Sequence, residues 1–275
     1  MVKSVWFLLL FGALGCDPNV VDAVREPPPM MEPVPVSPLE SSLIHRYSFN
    51  GDGIVALDSK GAAHGQVLGA ELAGTGSLTL SGAHSLEYVN LPNGIVSGLT
   101  DATFEAWLTW DGGPAWQRIF DFGNSNGGED MAVTSPSGGS YSGTSYLFLT
   151  TNAANDTTRG LPAGLRVAYS RNGVGDEEVC YVTQAFPSGV PTHVAVVVDA
   201  KAETIAIYQD GKQVVECPLS RPLSRIDDVN NWLGRSNFTA DAELGARYDE
   251  FRIYGAALTA EQLADSFKFG PDAEP

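Results

Sequence analysis

Apolar and polar residues alternate with a period of two along most of the chain after residue 42. The segments 43–49 and 104–110 show this clearly, and in the second one Glu105 and Thr109 take polar positions between apolar ones. A period of two places successive side chains on opposite faces of a strand. Both segments are therefore predicted strands with an apolar face toward a core and the polar residues on the other face.

Shorter segments of the same kind follow, most of them bounded by Gly, Pro, Asn or Asp. The predicted strands are 77–80, 86–89, 118–122, 146–149, 165–169, 179–183, 193–198, 205–208, 213–215 and 248–254. Asp210-Gly211 separates two of them and is a strong hairpin signal, because both residues tolerate the positive φ of a tight turn. Many short strands predict an all-β fold with two antiparallel sheets packed as a sandwich.

One short helix is predicted after the last strand. Thr259 and Gln262 have the spacing of a capping box, in which each side chain bonds the backbone N–H of the other residue. The helix should begin there and end near Phe267.

The first 42 residues do not share this pattern. An apolar run over 5–14 follows Lys3 and is too short for a membrane-spanning helix, which needs about 20 apolar residues. Residues 1–15 are therefore predicted to be an export signal, with a buried apolar strand as the alternative. Residues 16–42 contain seven prolines and predict an extended spacer. A docking motif for an aromatic groove is the alternative for this segment.

Residues 13–16, Ala-Leu-Gly-Cys, resemble the lipobox of bacterial lipoproteins, with Leu one position later than in the commonest pattern. The resemblance implies that Cys16 carries acyl chains such as palmitate, becomes the first residue of the mature protein and anchors it to the bacterial cell envelope. A signal without lipidation is the alternative. Asp17 resembles an inner-membrane retention signal that varies between lineages, so the choice of membrane stays open.

Charge limits the partners. The chain has 33 acidic and 16 basic residues and a net charge of −17, and loss of Lys3 with the signal makes it more negative. A strongly negative protein is repelled by nucleic acid and by anionic lipid surfaces. Nucleic acid is therefore not a predicted partner. The membrane is predicted to be contacted through the N-terminal lipid and not by the protein surface. The remaining length suits one domain at 43–269, followed by a tail at 270–275.

Cys180 and Cys217 remain as a pair once Cys16 is assigned to the lipid. An exported protein occupies a compartment that permits oxidation, so the two are predicted to form a disulfide. Two free thiols packed as small apolar groups are the alternative. A zinc site is disfavoured, because no Cys or His residues lie close together in the sequence.

Seven short motifs occur in order through the predicted domain. They are His-Arg-Tyr-Ser-Phe at 45–49, Leu-Asp-Ser-Lys-Gly at 57–61, Thr-Phe-Glu-Ala-Trp at 103–107, Thr-His-Val-Ala at 192–195, Ile-Tyr-Gln-Asp-Gly-Lys at 207–212, Leu-Gly-Arg-Ser at 233–236 and Tyr-Asp-Glu-Phe-Arg-Ile-Tyr at 248–254. This series resembles the laminin-G-like, concanavalin-A-like family. The resemblance implies a jelly-roll sandwich with one concave sheet, used in the family mostly to bind glycans or proteins. A fold alone does not establish a function.

No catalytic residue is predicted. Glycoside hydrolases of this architecture carry a Glu-x-Asp-x-x-Glu pattern on one strand, and the sequence has none. Glu177-Glu178 and Asp227-Asp228 are adjacent pairs, whose members would point to opposite faces of a strand, so solvated surface is their expected role. No Gly-x-Ser-x-Gly elbow or phosphate-binding loop occurs either.

A structural calcium ion is the predicted cofactor. By alternation, Asp249 lies on the same strand face as Phe251 and Ile253 and is predicted to point toward the core. A carboxylate there needs a partner. Members of the resembling family hold calcium between their N- and C-terminal segments, which makes Asp58 the predicted second ligand. The alternative is that Asp249 pairs with an arginine such as Arg46 or Arg235, or with loop amides, without a metal.

The segment 124–164 is rich in Gly, Ser, Asn and Thr and is the expected source of ligand contacts, with a solvated loop as the alternative. The aromatic residues within 146–149 are assigned to a core strand, and Trp116 and Trp232 to packing. Only Tyr141 is left free to contact a ligand. The ligand-binding residues are therefore not predicted from the sequence.

The sequence as a whole predicts a membrane-anchored, non-catalytic binding or adhesion module of the bacterial cell envelope, with a glycan or a protein as its ligand. A polysaccharide hydrolase or lyase with an unrecognised active site is the alternative. A purely structural role in the envelope is the third possibility.

Overall fold

The computed structural model describes residues 37–130 and 139–273. Its strands are β1 (Leu43–Tyr47), β2 (Asp52–Gly53), β3 (Val55–Ala56), β4 (Gly65–Leu68), β5 (Leu72–Ala73), β6 (Leu78–Ala83), β7 (Tyr88–Leu91), β8 (Ala102–Trp110), β9 (Arg118–Ser125), β10 (Gly143–Ala153), β11 (Gly164–Ser170), β12 (Glu178–Tyr181), β13 (Thr192–Asp199), β14 (Thr204–Gln209), β15 (Lys212–Pro218), β16 (Asn230–Leu233) and β17 (Glu243–Tyr254). The α-helices are α1 (Pro38–Ser42) and α2 (Ala260–Phe269), and single 3-10 turns lie at Val174–Asp176 and Leu223–Arg225. Neither α-helix is long and apolar enough to span a membrane.

The strands form a two-layer sandwich. The first sheet has the order β1-β17-β8-β13-β14-β15, with β6 also paired to β17, and the second has the order β12-β11-β10-β9-β16-β7-β4-β3. Neighbouring strands are antiparallel in both sheets. The predicted all-β jelly roll with one short C-terminal helix is confirmed, and the capping box of Thr259 and Gln262 begins that helix.

Aromatic side chains between the two sheets form the centre of the core. Phe120 and Phe122 of β9 stack with their ring centroids 4.8 Å apart. Phe104 of β8 lies 5.4 and 5.3 Å from these two rings and so joins the layers. Burial of one phenylalanine side chain contributes about 1.5–3 kcal/mol. The apolar side of the alternation in 104–110 therefore points inward, as predicted.

Part of the opposite face of the first sheet is buried as well, because the two helices cover it. Leu39 of α1 and Leu263 of α2 pack against Tyr208 and Tyr254 on that face. Glu105, at a polar position of the alternation, is fully buried there. A period of two distinguishes the two faces of a strand but does not show which elements cover them.

The carboxylate of Glu105 is hydrogen-bonded beneath α2. It accepts hydrogen bonds from Tyr254 Oη at 2.9 Å and Ser266 Oγ at 3.0 Å, and it lies 2.7 Å from His193 Nε2. The backbone N–H of Gly211 donates to His193 Nδ1, which leaves Nε2 to carry the proton that Glu105 accepts. This network fastens α2 to the sheet.

Glu250 joins the first strand, the last strand and the C-terminal residues. Arg46 of β1 donates from Nε and Nη2 to its two carboxylate oxygens at 2.7 and 3.1 Å, and Arg252 donates to it as well. Nη2 of Arg252 also donates to the carbonyl of Ala273 at 2.7 Å. The described part of the predicted tail 270–275 is thus held beside β17.

The last residues of the predicted spacer 16–42 form the helix α1. Ser37 caps α1 by accepting a hydrogen bond from the backbone N–H of Glu40 at 2.9 Å. Proline composition conceals this turn, because proline is tolerated in the first turn of a helix. The predicted signal at 1–15, the lipidated Cys16 and the rest of the spacer lie outside the described residues.

The last strand contains a β-bulge at Asp249. Tyr248 and Glu250 pair with adjacent residues of β8, so Asp249 is an inserted residue. The bulge brings Tyr248 into the inner core. The Asp249 side chain is 19% exposed and lies 3.3 Å from Arg247 Nη2. The predicted inward orientation of Asp249 is wrong, because the period of two does not continue through an inserted residue.

Asp58 organises a turn after β3. Its Oδ1 accepts hydrogen bonds from the backbone N–H groups of Arg46 and Gly61 at 3.0 and 2.9 Å. Its Oδ2 accepts from the N–H of Ala63 at 3.1 Å and lies 2.7 Å from His45 Nδ1. Burial raises the pKa of Asp58, but these hydrogen bonds outweigh burial and hold the pKa below its ordinary value.

A disulfide joins one edge of the first sheet to one edge of the second. β12 ends the second sheet and β15 ends the first. Cys180 of β12 is bonded to Cys217 of β15, with their Cα atoms 5.5 Å apart. The predicted pairing is confirmed.

Removal of this disulfide should destabilise the domain. The double variant Cys180→Ser, Cys217→Ser is expected to lose about 4 kcal/mol of unfolding free energy, because a cross-link across 37 residues restricts the unfolded chain. Urea denaturation measures the loss, and wild-type protein in reductant should unfold with the midpoint of the variant. An unfolding midpoint that reductant does not change would contradict the prediction.

Asp58→Asn should destabilise the domain at neutral pH and lose this effect in acid. Disruption of a buried hydrogen-bond set costs about 1–3 kcal/mol. Folding lowers the pKa of Asp58, so its contribution is complete above the unfolded pKa of about 4 and is lost as pH falls through the folded pKa. The urea midpoints of wild type and variant should therefore converge as the pH is lowered. Asp52→Asn, at an exposed position of β2, is the control. Its urea midpoint should equal that of the wild type at every pH.

Candidate ligand-binding pocket

A pocket of about 490 Å³ opens on the outer face of the second sheet. Binding sites for small molecules are commonly about 300–1,000 Å³. Arg118 of β9 and Phe148 of β10 form the floor, and Trp116 lines the pocket beside Arg118. The other lining residues belong to three connecting segments, 154–159, 174–177 and 238–241.

A second β-bulge places Arg118 in this pocket. Consecutive residues of β10, Leu149 and Thr150, pair with Phe120 and Arg118, so Ile119 is the inserted residue of β9. Under strict alternation Arg118 would share the inner face with Phe120. The bulge moves it to the outer face instead. The sequence predicts an ordinary strand at 118–122 and gives no sign of this change.

Arg118 is almost completely buried and donates three hydrogen bonds. Its Nη1 donates to the carbonyl of Trp116 at 2.8 Å, its Nη2 donates to Asp241 Oδ2 at 2.9 Å, and its Nε donates to Asp121 Oδ2 at 3.3 Å. The guanidinium carbon lies 3.9 Å from the centroid of the Phe148 ring. A cation over a desolvated ring is attracted by the negative ring face, so Phe148 supports the cation from below.

Two carboxylates, the buried Asp121 and the partly buried Asp241, connect Arg118 to the segment between β16 and β17. Asp121 accepts hydrogen bonds from the backbone N–H and from Nδ2 of Asn237 at 3.0 and 2.9 Å. Burial raises the pKa of Asp121, and the charge of Arg118 opposes the rise. Asp241 lies on the same segment, and burial raises its pKa too. The cation and the two acids therefore hold this segment over β9.

The segment between β10 and β11 folds back on itself. The backbone N–H and C=O groups of Asp156 and Leu161 bond each other at 2.8 and 2.9 Å. The carboxylate of Asp156 accepts from the backbone N–H groups of Thr158 and Arg159 at 3.0 and 3.2 Å. Hydrogen bonds from the side chains of Thr158 and Arg159 hold the pKa of Asp156 below its ordinary value. These local bonds give the segment a fixed shape.

Arg159 connects that segment to the residues before β12. Its Nη1 donates to the carbonyl of Val174 at 3.0 Å and to the carboxylate of Glu177, and its Nε donates to Asp156. The other oxygen of Glu177 accepts from Tyr146 Oη at 2.7 Å. Glu177 is thus fixed to β10 and to the neighbouring segment at once.

Arg166 of β11 lies buried beneath the segment 154–162. Its Nη2 donates to the carbonyl of Pro162 at 2.7 Å, and its guanidinium carbon lies 5.3 Å from the Trp116 ring. Its Nε and Nη1 have no hydrogen-bond partner in the part of the chain that the structure describes. Burial lowers the pKa of Arg166. Among the described residues, the segment 154–162 therefore covers the Arg166 guanidinium and accepts one hydrogen bond from it.

The aromatic residues have partly different places from those predicted. Trp232 is fully buried against Tyr88, which agrees with a packing role. Trp116, also assigned to packing, lines the pocket, and Tyr141, expected to be free for a ligand, packs near Trp232. The residues 146–149 do form a strand, but Phe148 faces the pocket and not the inner core.

The adjacent acids are not simple solvated pairs. Glu177 lines the pocket, whereas Glu178 accepts a hydrogen bond from the backbone N–H of Ser220 at 3.0 Å. Asp228 is buried and accepts from the backbone N–H of Val96 at 2.8 Å. Partners far away in the sequence determine these roles, so the surface role expected for Glu177 and Asp228 is wrong.

Asp58 and Asp249, the predicted calcium ligands, both have partners within the protein. Calcium takes about six to eight oxygen ligands, whereas N–H groups and His45 already occupy both oxygens of Asp58. Asp249 is paired with Arg247. Within residues 37–130 and 139–273, no group of three or more His, Cys, Asp or Glu side chains could hold a metal. Calcium at this pair stays a prediction.

Comparison with solved structures finds chains that share this fold. Domain 4 of AbnA, a GH43 extracellular arabinanase from Geobacillus stearothermophilus in complex with arabinotriose, matches with a TM-score of 0.58 at 20% identity, covering 82% of this chain and 97% of that one. Trypanosoma rangeli sialidase in complex with 2,3-difluorosialic acid matches with a TM-score of 0.55 at 15% identity, covering 82% of this chain and 32% of that one. Identities this low show a shared fold alone.

Comparison with protein families gives a match to Laminin_G_3, the concanavalin A-like lectin/glucanases superfamily, over residues 84–264. No curated protein matches the sequence significantly. The family match spans more than half of the chain and agrees with the antiparallel sandwich described above. The chain therefore belongs to the concanavalin A-like lectin/glucanase superfamily.

Proposed function

We propose that the protein is a non-catalytic carbohydrate-binding module of the bacterial cell envelope, anchored by a lipid on Cys16, and that the pocket on the second sheet binds its glycan. The observation that carries the proposal is the arrangement of aromatic rings and paired planar polar groups around one pocket. The superfamily match and the arabinotriose complex of a domain with this fold support a sugar as the ligand.

The aromatic residues suit the apolar face of a sugar ring. Trp116 and Phe238 line the pocket and are partly exposed. Phe148 lies beneath the Arg118 guanidinium, so it supports the floor. The C–H groups on one face of a sugar pack on an aromatic ring and leave water in doing so. Trp116 and Phe238 are therefore the expected contact surfaces.

The charged residues of the pocket suit a neutral glycan. Arg118 is paired with Asp241, and Arg159 is paired with Asp156 and Glu177. An ionic ligand would have to displace one of these partners. Sugar hydroxyls can donate to the carboxylates and accept from the guanidinium groups while the pairs stay intact. A neutral sugar therefore fits with the least rearrangement.

The ion pair of Arg159 with Asp156 opposes catalysis by that carboxylate. Hydrolysis of a glycosidic bond uses two carboxyl groups, one as the proton donor and the other as a base or nucleophile. An arginine beside a carboxylate stabilises the charged form and weakens it as a proton donor. Binding without turnover is the function that this arrangement favours.

Asp241 favours a hydrolase or lyase as the second candidate. Its side chain lines the pocket and is 14% exposed. Burial raises its pKa above the ordinary value even with Arg118 beside it. A raised pKa is the property that a general acid needs at neutral pH. A test for turnover separates this candidate from the binding module.

Phe238→Ala should weaken glycan binding about tenfold or more, because the loss of one stacking surface removes about 1.4 kcal/mol or more of binding free energy. Isothermal titration with arabinotriose and with glycans selected on an array measures the effect. Phe269→Ala removes an exposed ring of α2 on the other sheet and is the matched control, expected to bind like wild type.

Equal affinity of the Phe238→Ala variant and the wild type would move the glycan site away from this pocket. Release of reducing sugar from any bound glycan, abolished by Asp241→Asn, would replace the binding module with the hydrolase. Near-ultraviolet circular dichroism of each variant checks that the aromatic core is intact.

Cys16→Ser should abolish lipid attachment when the gene is expressed in a bacterium with a lipoprotein pathway. Several acyl chains give a stable anchor, whereas an unacylated chain of this net charge is repelled by anionic lipid. Labelling with a palmitate analogue and membrane fractionation should find the wild type in the membrane and the variant in the soluble fraction. An unlabelled wild-type protein would contradict the anchor.

A further inference from the structure

We infer that the pocket takes the end of a glycan chain and does not accommodate an internal part of one. This inference rests on the proposed function and deepens it by naming the class of ligand. The observation behind it is that parts of the chain lie on all four sides of the pocket. Two of these sides lie over the strands next to β10, and the other two lie toward the ends of β10.

The first side of the pocket stands over β11. The segment 154–162 follows β10 and lies across the outer face of β11, where it covers Arg166 and accepts its hydrogen bond at Pro162. The internal bonds of Asp156 and Leu161 keep this segment folded over the sheet. A bound chain cannot leave the pocket in the direction of β11.

The second side stands over β9. Asn237 donates hydrogen bonds to Asp121 of β9, and Asp241 accepts a hydrogen bond from Arg118 of the same strand. β10 lies between β9 and β11 in the sheet. The pocket therefore runs above β10, with one connecting segment on each side, and the two remaining directions are those along the strand.

Residues of the pocket lining lie in both directions along β10. Toward the start of β10, Tyr146 holds Glu177 at 2.7 Å, and Arg159 joins Glu177 to the first side. Toward the end of β10, the backbone N–H of Trp116 donates to the carbonyl of Asn152 at 2.8 Å, which fixes this lining residue at that end.

A polysaccharide that binds through its interior must enter a site at one end and leave it at another. Here the four directions in the plane of the sheet are occupied, and the free direction is the one away from the sheet. A terminal sugar can enter from that direction while the rest of its chain extends into solvent. The pocket volume of about 490 Å³ suits a short ligand of this kind.

The test is binding of the full-length protein to a printed array of defined oligosaccharides that includes arabinotriose. The array presents each sugar both at a chain end and in the interior of a longer chain. The bound glycans should share one terminal residue, and addition of a sugar to that end should weaken binding about tenfold or more. Extension at the opposite end should leave the affinity unchanged.

Equal binding of the same sugar at terminal and internal positions would overturn the inference and leave the proposed function standing. An array without any bound glycan would overturn the proposed function itself. The two failures are therefore distinguishable in one experiment.

Glu177→Ala tests whether Glu177 closes one end of the pocket. The variant should bind chains extended past the terminal residue at least about tenfold better than the wild type does, because the opening lets the chain continue along β10. Glu178→Ala removes the neighbouring acid, which lies outside the pocket lining, and should keep the wild-type preference for chain ends. An unchanged preference in folded Glu177→Ala protein would overturn the role of Glu177.

Discussion

The pocket depends on the ion pairs that Arg118 forms with two carboxylates. The guanidinium lies on the outer face of a sheet, out of contact with water, and it therefore needs anionic partners. It finds them in Asp121 of its own strand and in Asp241, which is distant in the sequence. Loss of one partner from a buried ion pair costs about 3–5 kcal/mol, because the other charge is left uncompensated. The floor and one side of the pocket are consequently a single cooperative unit.

The sequence predicts the layers of this fold because alternation is a local property. The strands at 104–110 and 193–198 and the hairpin at Asp210-Gly211 are found nearly as predicted. The two bulges are different, because an inserted residue is defined by the strand that pairs with it and not by the residues around it. Ile119 and Asp249 each reverse the orientation of neighbouring residues. The two charged residues that alternation misplaces, Arg118 and Asp249, lie at these bulges.

The pocket could not be predicted for a related reason. Most of its residues come from connecting segments, whose Gly, Ser and Thr content indicates a loop but not where the loop lies. Arg159 meets Glu177, and Arg118 meets Asp241, only after the strands have paired. The disulfide could be predicted because the chain has three cysteines, and the assignment of Cys16 to the lipid leaves one pair. The many acids and arginines of the chain permit a large number of ion pairs, so the sequence does not show which of them form.

The position of α1 has a mechanical consequence. Leu39 packs on the outer face of the first sheet, so the polypeptide enters the domain on that side, while the pocket opens from the outer face of the second sheet. α1 and the pocket therefore lie on opposite outer faces of the sandwich. A force between α1 and the floor of the pocket would have to cross both sheets, and it would pass through their paired strands and the disulfide that joins their edges.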